Sequence, residues 1–223
     1  MGKLLAKLTK LVSVVCSFLL CATALAETKI LIETSLGNIG LVLYSDKAPL
    51  TVEKFLEHVD AGRYEDLIFH RVIEGFMIQS GGYKKDLSES ESGVTVQSEA
   101  DNGLRNLLGT IAMARSDEID SASQQFFINT EDNIRLDHSE KSCTREDEAV
   151  HLKALERGLN KPRNCANFGY TVFGHVISGM NVVWAIESSP TEDRENFYDL
   201  PIETITIKSI RRNSPEKSEM LKR

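Results

Sequence analysis

The chain has 223 residues, with 26 basic and 33 acidic side chains and a formal net charge of −7 at pH 7. This length favours one domain with a sizeable core, and the acidic balance argues against a nucleic-acid partner. The hydrophobic fraction of 41% is ordinary for a globular protein.

The first 26 residues have the pattern of a secretory signal peptide. Three lysines precede a short apolar core at 11–20, and Ala-Leu-Ala at 24–26 is a small-x-small cleavage site. An apolar run of about ten residues is too short to span a bilayer, which disfavours a membrane anchor. Cys21 leaves a lipoprotein signal as a minor alternative. We predict cleavage after Ala26, export, and no stable membrane insertion of the remaining chain, which carries a net charge of −10.

Two cysteines remain after signal cleavage, Cys143 and Cys165. An even pair in a chain sent to an oxidising compartment predicts a disulfide. Zinc is the alternative, with His138, His151 and His175 as further ligands, but their spacing fits no zinc pattern. We therefore expect a disulfide and no metal.

The exported part begins with a predicted β-hairpin followed by a helix. Residues 29–35 and 39–44 alternate apolar and polar side chains on either side of a Gly-Asn turn. A helix is predicted to begin at Pro49 and to stop at Gly62. Its core face carries apolar residues at helical spacing, namely Val52, Phe55, Leu56 and Val59.

The stretch 69–82, FHRVIEGFMIQSGG, predicts two short strands joined by a tight turn at Glu74-Gly75. Arg71 is unusual among its apolar neighbours. A guanidinium there must reach solvent or find an acceptor, because a desolvated unpaired charge is costly. Taken alone, it is an ordinary edge-strand arginine that faces water.

Four more strands and a helix are predicted further along the chain. GTIAMARSDEIDSASQQFFINT, which begins at Gly109, holds strand Thr110–Ala114, a polar loop and strand 125–129. FGYTVFGHVISGMNVV at 168–183 contains strand 170–177 and the start of a helix that runs from Met180 to about Glu187. The alternation from Ile202 to Ile210 predicts a last strand.

Together, the stretches at 69–82, 109–129 and 168–183 resemble the cyclophilin family of peptidyl-prolyl isomerases. The resemblance covers about 29–211, apart from an insertion at 139–167. It implies a mostly β fold, a closed antiparallel β-barrel of about eight strands capped by two helices, with the active face outside. We assign residues 27–212 to this domain and 213–223 to a flexible charged tail.

The insertion has its own predicted helix. Thr144 is placed to cap it, with Asp147 as its partner three residues later. Gly158 and Pro162 end it, and a modest apolar stripe is formed by Ala149, Val150, Leu152 and Leu155. A Cys143–Cys165 disulfide would close the base of this unit and remove unfolded-state entropy.

The resemblance also implies the site residues. The family rotates Xaa–Pro peptide bonds and needs no cofactor or metal. Arg71 is expected to anchor the proline carbonyl and to donate towards the developing lone pair of the prolyl nitrogen. Gln79 is expected to bind the substrate backbone and to help hold the arginine. The implied proline pocket consists of Phe76, Met77, Phe127 and Leu136, and further peptide contacts are Ala114, Arg115, Gln125 and Tyr170. Without the resemblance, Met77 and its apolar neighbours would be interpreted as core residues.

Two departures from the family pattern favour its bacterial, exported branch. Arg135 occupies the position where many eukaryotic members have Trp, and Tyr170 the position where many have His. In the family that Trp supports tight cyclosporin binding, so we expect weak inhibition by cyclosporin.

We therefore predict a monomeric periplasmic isomerase that acts on proline-containing peptides and unfolded exported proteins. A chaperone-like binding module that uses the same groove is the alternative. A hydrolase has little support, because Ser80-Gly81 lacks the context of a nucleophile elbow.

Overall fold

The computed structural model describes residues 28–91, 93–139, 144–158 and 168–213. The predicted signal peptide, both cysteines of the predicted disulfide and nearly all of the predicted tail lie outside these residues. No helix within the described ranges is long and apolar enough to cross a membrane.

The fold is mostly β. Ten strands occur in the described residues: β1 Thr28–Thr34, β2 Gly37–Leu43, β3 Arg71–Ile73, β4 Met77–Ser80, β5 Thr110–Met113, β6 Phe126–Asn129, β7 Val172–Ser178, β8 Thr191–Arg194, β9 Phe197–Pro201 and β10 Ile207–Arg212. The helices there are α1 Pro49–Asp60, α2 Arg145–Glu156, α3 Met180–Glu187 and a 3₁₀ turn at Ile134–Leu136. The hairpin, α1 and α3 therefore form where the sequence predicts them. The predicted Gly-Asn turn is wrong, however, because the chain turns at Ser35-Leu36, and Gly37 and Asn38 pair with β1 as the first residues of β2.

Eight strands form one antiparallel sheet in the order β10-β1-β2-β7-β5-β6-β4-β3. A continuous strand ladder does not join β3 to β10, so the described strands do not reproduce the predicted closed barrel. The segments that precede these edge strands do meet. The Phe69 amide donates to the Ile205 carbonyl at 2.9 Å, and the Ile207 amide donates to the Leu67 carbonyl at 2.8 Å.

The main core lies between the sheet and α1. Phe55 on α1 is fully buried, and its ring centroid lies 5.2 Å from that of Phe173 and 5.9 Å from that of Phe126. Burial of one such aromatic side chain contributes about 1.5–3 kcal/mol. Phe127 points to the opposite face of β6, because side chains alternate along a strand. The sheet thus has an inner core face and a second apolar face that carries Phe127.

Glu99 fastens the N-terminus of α1 to the loop that precedes β5. Its carboxylate accepts hydrogen bonds from the Leu50 and Thr51 amides at 3.1 and 2.9 Å, and from the Thr51 hydroxyl at 2.7 Å. These amides have no partner within the helix, and a carboxylate also stabilises the positive end of the helix dipole.

We expect Glu99→Gln to lower the free energy of unfolding by about 1–2 kcal/mol. Chemical denaturation measures this loss. Glu53→Gln removes the same charge from an exposed position on α1, and it should change the free energy by less than about 0.5 kcal/mol. Equal effects of the two variants would contradict the capping role of Glu99.

The hairpin formed by β8 and β9 was not predicted from the sequence. All four residues of β8, Thr-Glu-Asp-Arg, are exposed and show no apolar alternation. The predicted last strand also begins later than expected, at Ile207 instead of Ile202, since Ile202 is half exposed and lies in a turn. The hairpin packs against β3, the strand that begins with Arg71.

The insertion helix α2 has the predicted capping box. The Thr144 amide donates to the Asp147 carboxylate, and the Asp147 amide donates to the Thr144 hydroxyl, both at 3.1 Å. Two members of the predicted apolar stripe, Val150 and Leu152, are exposed. Polar contacts join the helix to the rest of the fold, among them a hydrogen bond of 2.7 Å from the Ile119 amide to Glu148.

Candidate active site

A cavity of about 270 Å³ lies on the second apolar face of the sheet. Nine of the ten site residues expected from the sequence line it: Arg71, Phe76, Met77, Gln79, Ala114, Arg115, Phe127, Leu136 and Tyr170. The tenth, Gln125, lies beside this cavity. Its side-chain oxygen accepts a hydrogen bond of 2.8 Å from the side-chain amide of Gln79. We call this cavity the first cavity.

Strand register explains why these residues meet. Arg71 on β3 lies opposite Gln79 on β4, Gln79 lies opposite Phe127 on β6, and Phe127 lies opposite Ala112 on β5. Directly opposed residues on neighbouring antiparallel strands point to the same face of a sheet. A cation, an amide and an aromatic ring therefore form one row across the sheet, although 56 positions separate Arg71 from Phe127 in the sequence.

The floor of the first cavity is apolar. Met77 and Phe127 are 2% and 4% exposed and form a small cluster with Ala112 and Val172. The Phe127 ring meets the Tyr170 ring edge-on, with 5.7 Å between centroids. An apolar pocket of this kind suits a proline ring, because the prolyl nitrogen carries no N–H that would need a hydrogen-bond acceptor.

The polar edge of the cavity is formed by Arg71 and Gln79. The Arg71 side chain is 43% exposed, and its Nε lies 3.9 Å from a carboxylate oxygen of Asp199 on β9. This separation is too long for a hydrogen bond, and Asp199 is itself 40% exposed. The Arg71 guanidinium therefore lies near an acidic side chain, but its donors remain available to a molecule bound in the cavity.

Buried asparagines support the residues that line the cavity. The side-chain amide of Asn133 donates to the Phe76 carbonyl at 2.7 Å and to the side-chain oxygen of Asn129 at 2.8 Å. The side-chain amide of Asn106 donates to the Leu136 carbonyl at 3.1 Å. This network joins the segments that carry Phe76 and Leu136, and sequence reasoning missed it. The one available signal is Asn129, an amide within an apolar strand that needs buried partners.

Two arginines cover aromatic residues at the rim. The Arg115 guanidinium lies 4.9 Å from the ring centre of Tyr170, and its Nε donates to the Gly169 carbonyl at 3.0 Å. The Arg135 guanidinium lies 4.4 Å from the ring centre of Phe76. Both contacts are within cation–π range. Arg135 thus lies against a residue of the cavity wall, Phe76, at the position where many family members were expected to have Trp.

The titratable group beside Arg71 is uncharged at neutral pH. His70 is 5% exposed, and burial lowers the pKa of its imidazole to about 4. The described residues contain no group of three or more His, Cys, Asp or Glu side chains that could hold a metal ion. The zinc alternative involving Cys143 and Cys165 lies outside these residues.

Comparison with known proteins agrees with this geometry. The family model described as "Cyclophilin type peptidyl-prolyl cis-trans isomerase/CLD" matches residues 29–212. Peptidyl-prolyl cis-trans isomerase A of Dickeya dadantii is 42% identical over 84% of this chain and 86% of its own. Peptidyl-prolyl cis-trans isomerase B of Escherichia coli is 37% identical over 79% of this chain and 94% of its own.

The fold also matches solved structures. A Cryptosporidium parvum cyclophilin type peptidyl-prolyl cis-trans isomerase has a TM-score of 0.63 at 23% identity, and the match covers 84% of this chain and 98% of the other. At that identity the likeness concerns the fold alone. The family match and the bacterial relatives go further, and the chain belongs to the cyclophilin-type peptidyl-prolyl cis-trans isomerase family. Its enzymatic activity is the isomerisation of peptidyl-prolyl bonds.

Proposed function

We propose that this isomerase accelerates Xaa–Pro rotation during the folding of exported proteins, with Arg71 as the residue that stabilises the twisted amide. The observation that carries this proposal is the cross-strand row of Arg71, Gln79 and Phe127 beside an apolar cavity. The Arg71 guanidinium and the apolar cavity lie on the same face of the sheet, so one bound proline can contact both.

The physical task is to lower a rotational barrier. Xaa–Pro isomerisation faces about 20 kcal/mol, because the C–N bond has partial double-bond character. No covalent bond breaks, so the site needs neither a nucleophile nor a general base. It must hold the ring while the rest of the bond turns, and it must favour the twisted state in which resonance is lost.

Arg71 suits the second requirement. Its guanidinium carries five donors and stays charged at all working pH values. In the twisted amide the prolyl nitrogen gains a lone pair that can accept a hydrogen bond, whereas in the planar ground state it cannot. A donor aimed at that nitrogen therefore stabilises the transition state more than the substrate.

The other residues bind and orient. Met77, Phe127 and Leu136 hold the ring, and Phe76 closes the side next to the arginine. Gln79 is held by its bond to Gln125 and offers its remaining polar atoms to the substrate backbone. The backbone at Ala114 and Arg115 pairs with the extended peptide on the far side of the cavity from Arg71.

Export and the physiological substrates belong to this proposal as well. The N-terminal pattern of lysines, apolar core and Ala-Leu-Ala supports cleavage after Ala26 and a periplasmic location. There, unfolded exported proteins present Xaa–Pro bonds whose uncatalysed isomerisation takes tens of seconds or more. The proposed enzyme acts as a monomer.

We further propose that the sheet closes into the barrel expected from the sequence. Support comes from the hydrogen bonds that link residues 67–69 to residues 205–207, next to the two edge strands. Closure would fix β3, and with it Arg71, relative to the rest of the sheet. Slow hydrogen exchange at the Phe69 and Ile207 amides would support closure, and exchange at the rate of an open edge would contradict it.

The function is tested with the chain that begins at Glu27. Exchange NMR on a short Xaa–Pro peptide measures isomerisation directly, and a refolding assay on a proline-limited protein measures the effect on folding. We expect acceleration in both. Peptide binding without acceleration would instead identify a binding module. Cell fractionation with N-terminal sequencing tests export, and recovery of the full-length chain in the cytoplasm would contradict it.

Weak inhibition by cyclosporin follows from the rim of the cavity. Arg135 covers Phe76 with a charged, solvated group, where an indole would offer an apolar surface and a donor. We expect no inhibition at nanomolar cyclosporin in the peptide assay. Arg135→Trp should strengthen inhibition by about tenfold or more, since a well-placed aromatic contact contributes about 1 kcal/mol beyond its burial. Nanomolar inhibition of the unmodified protein would contradict this prediction.

A further inference from the structure

A second cavity, of about 620 Å³, adjoins the first. Arg71 and Gln79 line both cavities, so these two side chains form the boundary between them. The remaining walls of the second cavity include the segment 86–89 and the turn of the β8–β9 hairpin at 195–198. The hairpin that the sequence did not predict thus forms one wall of the groove.

The second cavity is negatively charged. Three exposed carboxylates line it: Asp86, Glu89 and Glu195. Arg71 is the one cationic side chain in the lining described, and Asp199 lies 3.9 Å from its Nε. Lys84 and Lys85 are exposed nearby but do not line the cavity. The charge balance therefore favours a cationic occupant.

Aromatic rings stand beside these carboxylates. The Tyr83 and Phe197 rings meet edge-on with 4.8 Å between centroids, and His70 meets Tyr83 at the same distance. Tyr198 lines the cavity with 65% of its surface exposed. His70 is 95% buried, and its Nδ1 has no hydrogen-bond partner among the described residues. Aromatic rings together with carboxylates form a site suited to an ammonium or guanidinium group.

The boundary residue fixes which part of a substrate reaches the second cavity. Arg71, by the proposed function, anchors the carbonyl of the bound proline. The next Cα lies 3.8 Å further along the chain, beyond Arg71 and away from Ala114 and Arg115, which line the first cavity only. The side chain that follows the proline therefore enters the second cavity.

We propose that the second cavity is a cation-accepting subsite through which this isomerase favours substrates with Lys or Arg directly after the proline. The inference rests on the proposed function for the position of the proline. It adds a substrate preference set by Glu89, Glu195 and the aromatic wall.

The test compares three peptides that differ only in the residue after the proline: Lys, norleucine or Glu. Exchange NMR measures kcat/KM for each at low salt. We expect the Lys peptide to exceed the norleucine peptide by about fivefold, the combined effect of exposed charge pairs and a cation–π contact. Added salt at 0.5 M should reduce this ratio to less than about twofold. Equal values for Lys and norleucine at low salt would overturn the proposal.

The double variant Glu89→Gln/Glu195→Gln isolates the subsite. It should reduce the preference for Lys to less than about twofold, because Asp86 and the aromatic wall remain, and it should change the rate with the norleucine peptide by less than about twofold. Glu53→Gln, on the exposed face of α1, serves as the matched control and should keep the preference. A double variant that still favours Lys fivefold would also overturn the proposal.

Peptide affinities measured by NMR titration separate this inference from the proposed function. Tighter binding of the Lys peptide without isomerisation of any peptide would remove the catalytic account and keep the subsite. If all three peptides were isomerised with equal rates and bound with equal affinities, the catalytic account would stand and the cation-accepting subsite would be ruled out. Absence of binding by every peptide would overturn both.

Discussion

Replacement of Arg71 by alanine is expected to lower kcat/KM for Xaa–Pro isomerisation by about 10²–10³-fold, the loss typical of a removed transition-state donor. The fold should survive, because the Arg71 side chain is 43% exposed and makes no short hydrogen bond to any residue that the structure describes. The free energy of unfolding of the variant should therefore lie within about 0.5 kcal/mol of that of the unmodified protein. A peptide isomerisation assay together with chemical denaturation measures both quantities.

Arg211→Ala provides the matched control. This arginine is 51% exposed and pairs with Glu33 on the neighbouring strand, away from both cavities. Its removal deletes the same charge and should leave kcat/KM unchanged. If the two variants were equally active, Arg71 would have no catalytic role.

The second large effect concerns stability and pH. His70 has a pKa near 4 in the folded protein because burial disfavours its charged form, against about 6.5 in an unfolded chain. Above pH 6.5 both states are neutral, and the full stability is present. As the pH falls from 6.5 to 4, the unfolded state takes up the proton first, so the folded state loses about 3 kcal/mol. Below pH 4 both states are protonated, and this contribution to the pH dependence ends.

The variant His70→Gln isolates this contribution, because glutamine does not titrate. Denaturation between pH 7.5 and 4 should show a shallower fall in the free energy of unfolding for the variant, with the difference concentrated between pH 6.5 and 4. Carboxylates such as Asp60, whose pKa is lowered by Arg212, affect both proteins alike. Identical pH slopes would mean that His70 is not desolvated as described.

The parts of the fold that were predictable are those set by local pattern. In the first hairpin β1 alternates buried and less buried side chains, although its turn lies directly before the predicted Gly-Asn pair. Helix α1 begins at Pro49 with its apolar residues on one face. The α2 capping box of Thr144 and Asp147 is equally local, three residues apart. In each case neighbours in sequence decide the structure, so the pattern is visible without the fold.

The β8–β9 hairpin was not predictable for the opposite reason. Its first strand carries only exposed polar side chains. Its turn has a left-handed backbone at Glu195, with φ of 53°, and a second left-handed residue, Asp199, lies within β9. Hydrophobic periodicity is the main signal for a strand, and this hairpin has almost none. Its consequences, the contact of Asp199 with Arg71 and a second cavity, were hidden from sequence reasoning for that reason.

The candidate site divides in the same way. The residues that line the first cavity were identified through a family resemblance, and the structure brings them together by strand register. The supporting network of Asn106, Asn129 and Asn133 is only partly local, because Asn106 lies 23 positions before its partner Asn129. Each buried amide is interpretable only when its partners are known.

The central claim is that Arg71 acts on the twisted amide more than on the bound substrate. Exchange NMR at saturating enzyme separates the two, since it measures the interconversion of cis and trans peptide on the protein as well as the dissociation constant. We expect Arg71→Ala to slow the on-enzyme interconversion by at least about 100-fold and to weaken binding by less than about tenfold. An unchanged interconversion rate with strongly weakened binding would contradict the claim.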